Sequence, residues 1–129
     1  MTATQTATNT AIKTKTNPLA GKNILWTFSD GQMANVSFQH SFREDTVVYQ
    51  MKDGKDGKVS MPHHYEVAAV GQDVVAVSYQ VPEGLTLTTI LDFTAMTLVA
   101  FSSNEKVLAM QYGTFKLTSD TPETQAQPH

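Results

Sequence analysis

Apolar side chains recur at every second position through most of this chain, and each run is cut by turn-forming residues before it grows long. A two-residue period puts alternate side chains on opposite faces of an extended segment, so each run reads as a half-buried strand. Asn23 to Phe28 presents Ile24, Trp26 and Phe28 on one face. Met33 to Gln39 presents Ala34, Val36 and Phe38 opposite Asn35 and Ser37. Thr46 to Met51 gives Val47, Tyr49 and Met51; His63 to Val70 carries Tyr65 and Val67; Val74 to Gln80 gives Val75, Val77 and Tyr79. Leu85 to Phe93 gives Leu85, Leu87, Leu91 and Phe93, with Thr89 between. Met96 to Ser102 sets Val99 and Phe101 against Leu98 and Ala100. Val107 to Leu117 gives Leu108, Met110 and Tyr112, then Phe115 and Leu117 after Gly113. The separators are turn chemistry: Ser29-Asp30-Gly31, Gly71-Gln72-Asp73, Pro82-Glu83-Gly84 and Ser103-Asn104-Glu105, where Gly, Asn and Asp tolerate the backbone angles of tight hairpins. Helical spacing is nearly absent, and the one helix candidate is a single turn over Asn17 to Lys22.

About eight strands joined by short connections predict an all-β, antiparallel meander. Eight such strands remove their exposed edges by closing into a barrel, and a barrel of that size has room for one small ligand. A β-sandwich is the main rival. Val74 to Val77 and Met96 to Phe101 carry apolar residues on both faces, which suits a barrel with an apolar lining or one that pairs as a homodimer. At 129 residues the chain is one domain. Residues 1–17 are rich in Thr with little to bury and read as a disordered tail. Residues 18–118 form the barrel domain, and residues 119–129, polar with two prolines, read as a second disordered tail. The first tail has neither the charged start nor the apolar stretch of a secretory signal, and no Arg for a transit peptide. No apolar run approaches the roughly 20 residues that cross a bilayer, so no membrane span is expected; the cytoplasm is the expected location, with a disulfide-free exported protein as the alternative.

Charge and composition exclude further classes. Nine Lys and Arg are scattered through a chain of net charge −3, whereas a nucleic-acid binder needs a basic stripe. There is no Cys, hence no disulfide, thiolate metal site or cysteine nucleophile. The repeat Lys-Asp-Gly-Lys-Asp-Gly-Lys over residues 52–58 reads as a mobile loop; Asp53 and Asp56 are three apart, which does not match the alternate carboxylates of a calcium loop. His63 and His64 are adjacent on a strand and point to opposite faces, and only His40 and His129 remain as further imidazoles. No metal and no cofactor are expected.

Several segments resemble a known family. They are Gly21-Lys22 through Gly31 (GKNILWTFSDG), His64-Tyr65-Glu66, Val77-Ser78-Tyr79-Gln80 followed by Pro82-Glu83-Gly84, Leu91-Asp92-Phe93, and Gly113-Thr114-Phe115. Together they resemble the MoaF-like group (molybdenum cofactor biosynthesis protein F), small barrels of the calycin or lipocalin type, over about Leu19 to Leu117. They also resemble, more distantly, the bacterial phenolic acid decarboxylases. Those enzymes hold the substrate carboxylate with the two phenols of a Tyr-Thr-Tyr segment and move a proton with a Glu before a Pro. Here the matching positions are Trp26-Thr27-Phe28 and Val81, so the phenols and the acid are both missing. The resemblance therefore implies the barrel and not the decarboxylation.

The remaining question is which side chains face a ligand. An apolar cavity is expected from some of Trp26, Phe28, Val36, Phe38, Tyr49, Tyr65, Val77, Tyr79, Leu87, Leu91, Phe101 and Met110, because facing sets of a closed barrel point the same way. The ligand-binding candidates are Trp26, Phe28, Phe38, Arg43, Tyr49, Tyr65, Tyr79, Leu91 and Phe101. Trp26 either lines the cavity or closes the base. Arg43, the only arginine, either holds a carboxylate or pairs with Glu44 or Asp45 on a turn. For catalysis the candidates are His64 with Glu66, a dyad on one strand face, and Asp92, which is either an unpaired acid or an outward, turn-binding one. Two functions follow. One is a barrel binding an apolar or aromatic small molecule; the other is a cofactor-free lyase, isomerase or cyclase of small-molecule, secondary metabolism in the same cavity. A structural dimer without a ligand is a third, and it would need a barrel filled by its own side chains.

Overall fold

The computed structural model describes residues 17–52 and 57–119. The tails expected at 1–17 and 119–129 lie outside it except for Asn17 and Ser119, and so do Asp53 and Asp56 of the glycine-rich loop. The strands are β1 (Asn23–Phe28), β2 (Ser37–Phe42), β3 (Thr46–Lys52), β4 (His63–Gly71), β5 (Val74–Gln80), β6 (Thr86–Asp92), β7 (Thr97–Ser103) and β8 (Leu108–Thr118). Each pairs antiparallel with its neighbour in sequence, and β1 pairs with β8, so the meander closes into a barrel. No helix among the described residues is long and apolar enough to cross a membrane.

Alternation becomes burial as the period requires. In β5, Val75, Val77 and Tyr79 are buried while Gln80 is exposed; in β1, Ile24, Trp26 and Phe28 point inward. The hairpins close on the expected residues. Gly84 has φ +90° and its N–H donates to the Val81 carbonyl at 2.9 Å. Asn104 Oδ1 accepts from the N–H groups of Lys106 and Val107 at 2.7 Å each.

The second strand differs from expectation. The alternation over Ala34, Val36 and Phe38 predicts a strand from Met33, yet β2 starts at Ser37 and runs on to Phe42. Gly31 and Asn35 take positive φ, 76° and 70°, and the Val36 N–H donates to the Met33 carbonyl at 2.9 Å, so this stretch is a turn. Asn accepts the left-handed region better than most residues, and a period of two continues equally well in either direction. The shift carries His40 into the barrel. The segment Asn17 to Lys22 is likewise a capped turn and not a helix. Asn17 Oδ1 accepts from the N–H groups of Leu19 (3.0 Å) and Ala20 (3.1 Å), and Gly21, at φ +84°, donates to the Phe42 carbonyl at 2.8 Å.

The barrel interior divides into two halves. At the end bearing the β2–β3, β4–β5 and β6–β7 connections, Leu19 from the Asn17–Lys22 turn packs with Ile24, Phe42, Val47, Leu91 and Phe115 into a solid core. Each such side chain contributes roughly 1.5–3 kcal/mol on burial. The opposite end, with the β1–β2, β3–β4, β5–β6 and β7–β8 connections, is not filled by the described residues. β3 and β4 form only two residue pairs, Thr46 with His64 and Val47 with His63, and toward the open end the wall continues through Ser60 and Gly57, whose N–H groups donate to the carbonyls of Tyr49 (2.8 Å) and Met51 (2.9 Å).

Candidate ligand cavity

The unfilled half holds a cavity of about 400 Å³. Its deepest residues are Trp26, His40, Tyr79 and Thr89, all buried. Phe28, Met33, Phe38, Tyr49, Met51, Val81, Leu85 and Leu87 make up the walls. Glu83 from the β5–β6 turn, Ala100, Phe101 and Ser102 from β7, and Gln111 from β8 complete the lining. Glu83 and Met51 are exposed, so the cavity opens at this end. Three consecutive β7 residues take part, and successive strand side chains point oppositely; part of that wall is therefore backbone.

His40 organises the floor. Its ring stacks on Trp26 with centroids 3.8 Å apart and 24° between planes, and Nε2 lies 2.9 Å from the Tyr79 hydroxyl. Burial pushes its pKa down to about 3, with the Phe38 carbonyl pulling weakly the other way. His40 is therefore a neutral imidazole with one N–H and one bare nitrogen. Burial, then the neighbouring Tyr49, raises the Tyr79 phenol far above the ordinary tyrosine range. The pair is thus a hydrogen bond between two uncharged groups. His40 Nδ1 and Trp26 Nε1 are buried without a hydrogen-bond partner of acceptable geometry, which costs on the order of 1–3 kcal/mol for each such group. Tyr49 stacks on His63 at 5.7 Å and lies tilted, 5.8 Å away, against both His40 and Tyr79. Its phenol is raised by burial and then by the charge of Glu83.

Of the residues singled out from the sequence, Trp26, Phe28, Phe38, Tyr49, Tyr79, Leu87 and Phe101 line this cavity. Tyr65 and Leu91 sit in the packed half. The Tyr65 hydroxyl donates to the Arg43 carbonyl at 2.5 Å and accepts from Asn17 Nδ2 at 2.9 Å. Arg43 itself is exposed in the β2–β3 connection; its backbone is engaged and it does not reach the cavity. Val77 belongs to the core, Val36 is in the β1–β2 connection outside the lining, and Met110 points outward, 47% exposed. His64 and Glu66 do bond, Nε2 to Oε2 at 2.7 Å, with side chains 65% and 83% exposed, so the dyad faces solvent. The Asp92 carboxylate accepts from the N–H groups of Thr94 (2.9 Å) and Ala95 (3.1 Å), which makes it a turn-binding acid. Sequence reasoning missed His40. The signal was the continued alternation Phe38, His40, Phe42, hidden by the polar run Arg43-Glu44-Asp45 that follows. Among the described residues, no three of His, Cys, Asp or Glu are grouped to hold a metal ion.

No family model matches the chain, and no curated protein matches it. A crystal structure of a protein from Burkholderia vietnamiensis, described as a "putative beta-lactamase", aligns with a TM-score of 0.68 at 19% identity, covering 81% of this chain and 99% of that one. At that identity the likeness shows a shared fold: the two chains are small barrels of the same build.

Proposed function

We propose that this chain is a binding module that holds one small apolar or aromatic molecule in the open half of its barrel. The observation that carries the reading is the cavity of about 400 Å³, lined mainly by aromatic and aliphatic side chains with few polar groups, the usual make-up of a small-molecule site. A barrel with no ligand of its own would not need one half packed solid and the other left empty. The segments resembling the MoaF-like barrels support the same reading.

Catalysis in the same cavity, as a lyase, isomerase or cyclase, has less support. A general acid or base works best with a pKa near the operating pH. His40 and Tyr79 are both driven away from neutrality by burial, and the His64–Glu66 pair lies outside. The description of the structural neighbour does not transfer either. Opening a β-lactam ring needs a nucleophile activated by a neighbouring base or a metal-bound hydroxide. Ser102 is the only serine lining the cavity; no described hydrogen bond joins it to a base.

Titration with N-phenyl-1-naphthylamine, an uncharged apolar dye that brightens out of water, tests the proposal. Saturable one-site binding is expected, and Ala100→Trp, which fills the cavity from β7, should abolish it while the melting temperature holds. Equal dye binding by the filled variant would overturn the reading.

A further inference from the structure

The charges around the cavity narrow its ligand further, on the basis of the reading just given. Among the described residues no Lys or Arg lines the cavity, and Glu83 is the only lining residue that carries a charge at neutral pH. Lys52, Lys58 and Lys106 stand in or beside the connections at the same end, as do Asp30 and Glu105, but none of the five reaches the lining. His40, the one basic side chain on the floor, is held neutral by burial. An anion drawn into such a space would lose its water and gain no counter-charge from the described residues, which is expensive. A cation at the mouth meets the opposite situation. It would have the Glu83 carboxylate beside it, and the rings of Tyr49 and Phe38 line the same cavity; aromatic faces attract cations. The influence of Glu83 at this spot is visible in Tyr49, whose phenol its charge helps to hold protonated.

We infer that the ligand is an amphipathic organic cation: an aromatic or aliphatic body seated in the cavity, with an ammonium group held at the mouth by Glu83. The arrangement selects amines over carboxylic acids of the same body. It runs opposite to the carboxylate-binding site that the distant decarboxylase resemblance would imply. The apolar body supplies most of the affinity, and Glu83, being exposed, sets the order among head groups.

Three molecules sharing one body separate this inference from the cavity reading beneath it: 2-(1-naphthyl)ethylamine, 2-(1-naphthyl)ethanol and 1-naphthylacetate, each competing with N-phenyl-1-naphthylamine. The amine should bind about two- to fivefold tighter than the alcohol, the range of an exposed ion pair. The acid should be weakest. The amine's margin over the alcohol should shrink at high salt, as screening demands, and should vanish in Glu83→Gln. An amine no tighter than the alcohol, an acid that binds best, or a margin that survives Glu83→Gln would overturn the inference while leaving an apolar cavity in place. An alcohol that fails to displace the dye would overturn the cavity reading and this inference with it.

Discussion

His40 is where the residue scale is most informative, because a group that titrates near neutrality is buried as an uncharged ring. Its folded pKa, about 3, lies below the ordinary 6.5. Between those values the unfolded chain binds a proton that the folded chain refuses, so stability rises with pH. The contribution is complete above about pH 6.5 and is lost progressively as the pH falls toward 3, by about 1.4 kcal/mol per unit at most. His64 acts in the reverse sense. Its hydrogen bond to Glu66 raises its pKa, so its contribution is present at low pH and fades as pH rises through the raised value; exposure to solvent keeps it small. Urea unfolding at about pH 7.5 and about pH 5.5 should therefore show the wild type losing on the order of 1 kcal/mol more than His40→Gln, a variant that can still bond to Tyr79. Equal losses in the two proteins would mean that His40 is not buried neutral. None of this could be read from the sequence, where His40 stands beside Ser41, Phe42 and Arg43 and looks like the start of a polar turn. Trp26, Tyr49 and Tyr79 were legible because each sits at the inward phase of an unambiguous run.

At the scale of elements, two small features hold the barrel together. Gly113 of β8 lies against β1, paired with Phe28. A Cβ there would collide with the Thr27 carbonyl oxygen and stand 3.1 Å from Phe28 Cα. Those are backbone atoms locked in a ladder and cannot move aside, so Gly113→Ala should destabilise the fold by about 1–3 kcal/mol, the usual range for overpacking, measured by chemical denaturation. A neutral effect would show that β1 and β8 do not approach so closely. Asn17 ties the entry turn to the β2–β3 connection through Glu44 and to Tyr65, as well as capping its own turn. Asn17→Ala should cost about 1–2 kcal/mol by the same measurement, and no loss would mean that Leu19 seals the barrel unaided. The strands were legible because a two-residue period and turn residues both mark them. The start of β2 was not, since Met33 to Val36 keeps the strand's period while Gly31 and Asn35 bend the chain. The role of Asn17 was also hidden, because its partners lie 27 and 48 residues away.

For the whole molecule the decisive property is asymmetry along the barrel axis. Alternation states which side chains point inward; it says nothing about which end of the barrel they fill. Leu91 and Val77 therefore share a pattern with Leu87 and Phe38, yet the first two are core and the last two line the cavity. Leu19, a residue outside every strand, fills the packed end, and among the described residues no counterpart fills the other. Val77→Trp would overfill the solid half and unfold the protein, whereas Ala100→Trp enters free space. The central claim is that the open half takes up an apolar guest. Trp26 is the only tryptophan, so its indole N–H gives one resolved signal in a nitrogen–proton NMR spectrum, next to the Gln111 side-chain amide and the backbone signals of Thr89 and Ala100. Titration with 2-(1-naphthyl)ethylamine should shift these signals together and saturably, leaving those of Leu19, Val75 and Leu98 in place. Shifts confined to Val70, Met110 and Tyr112 on the outer face, or none at all, would contradict the account.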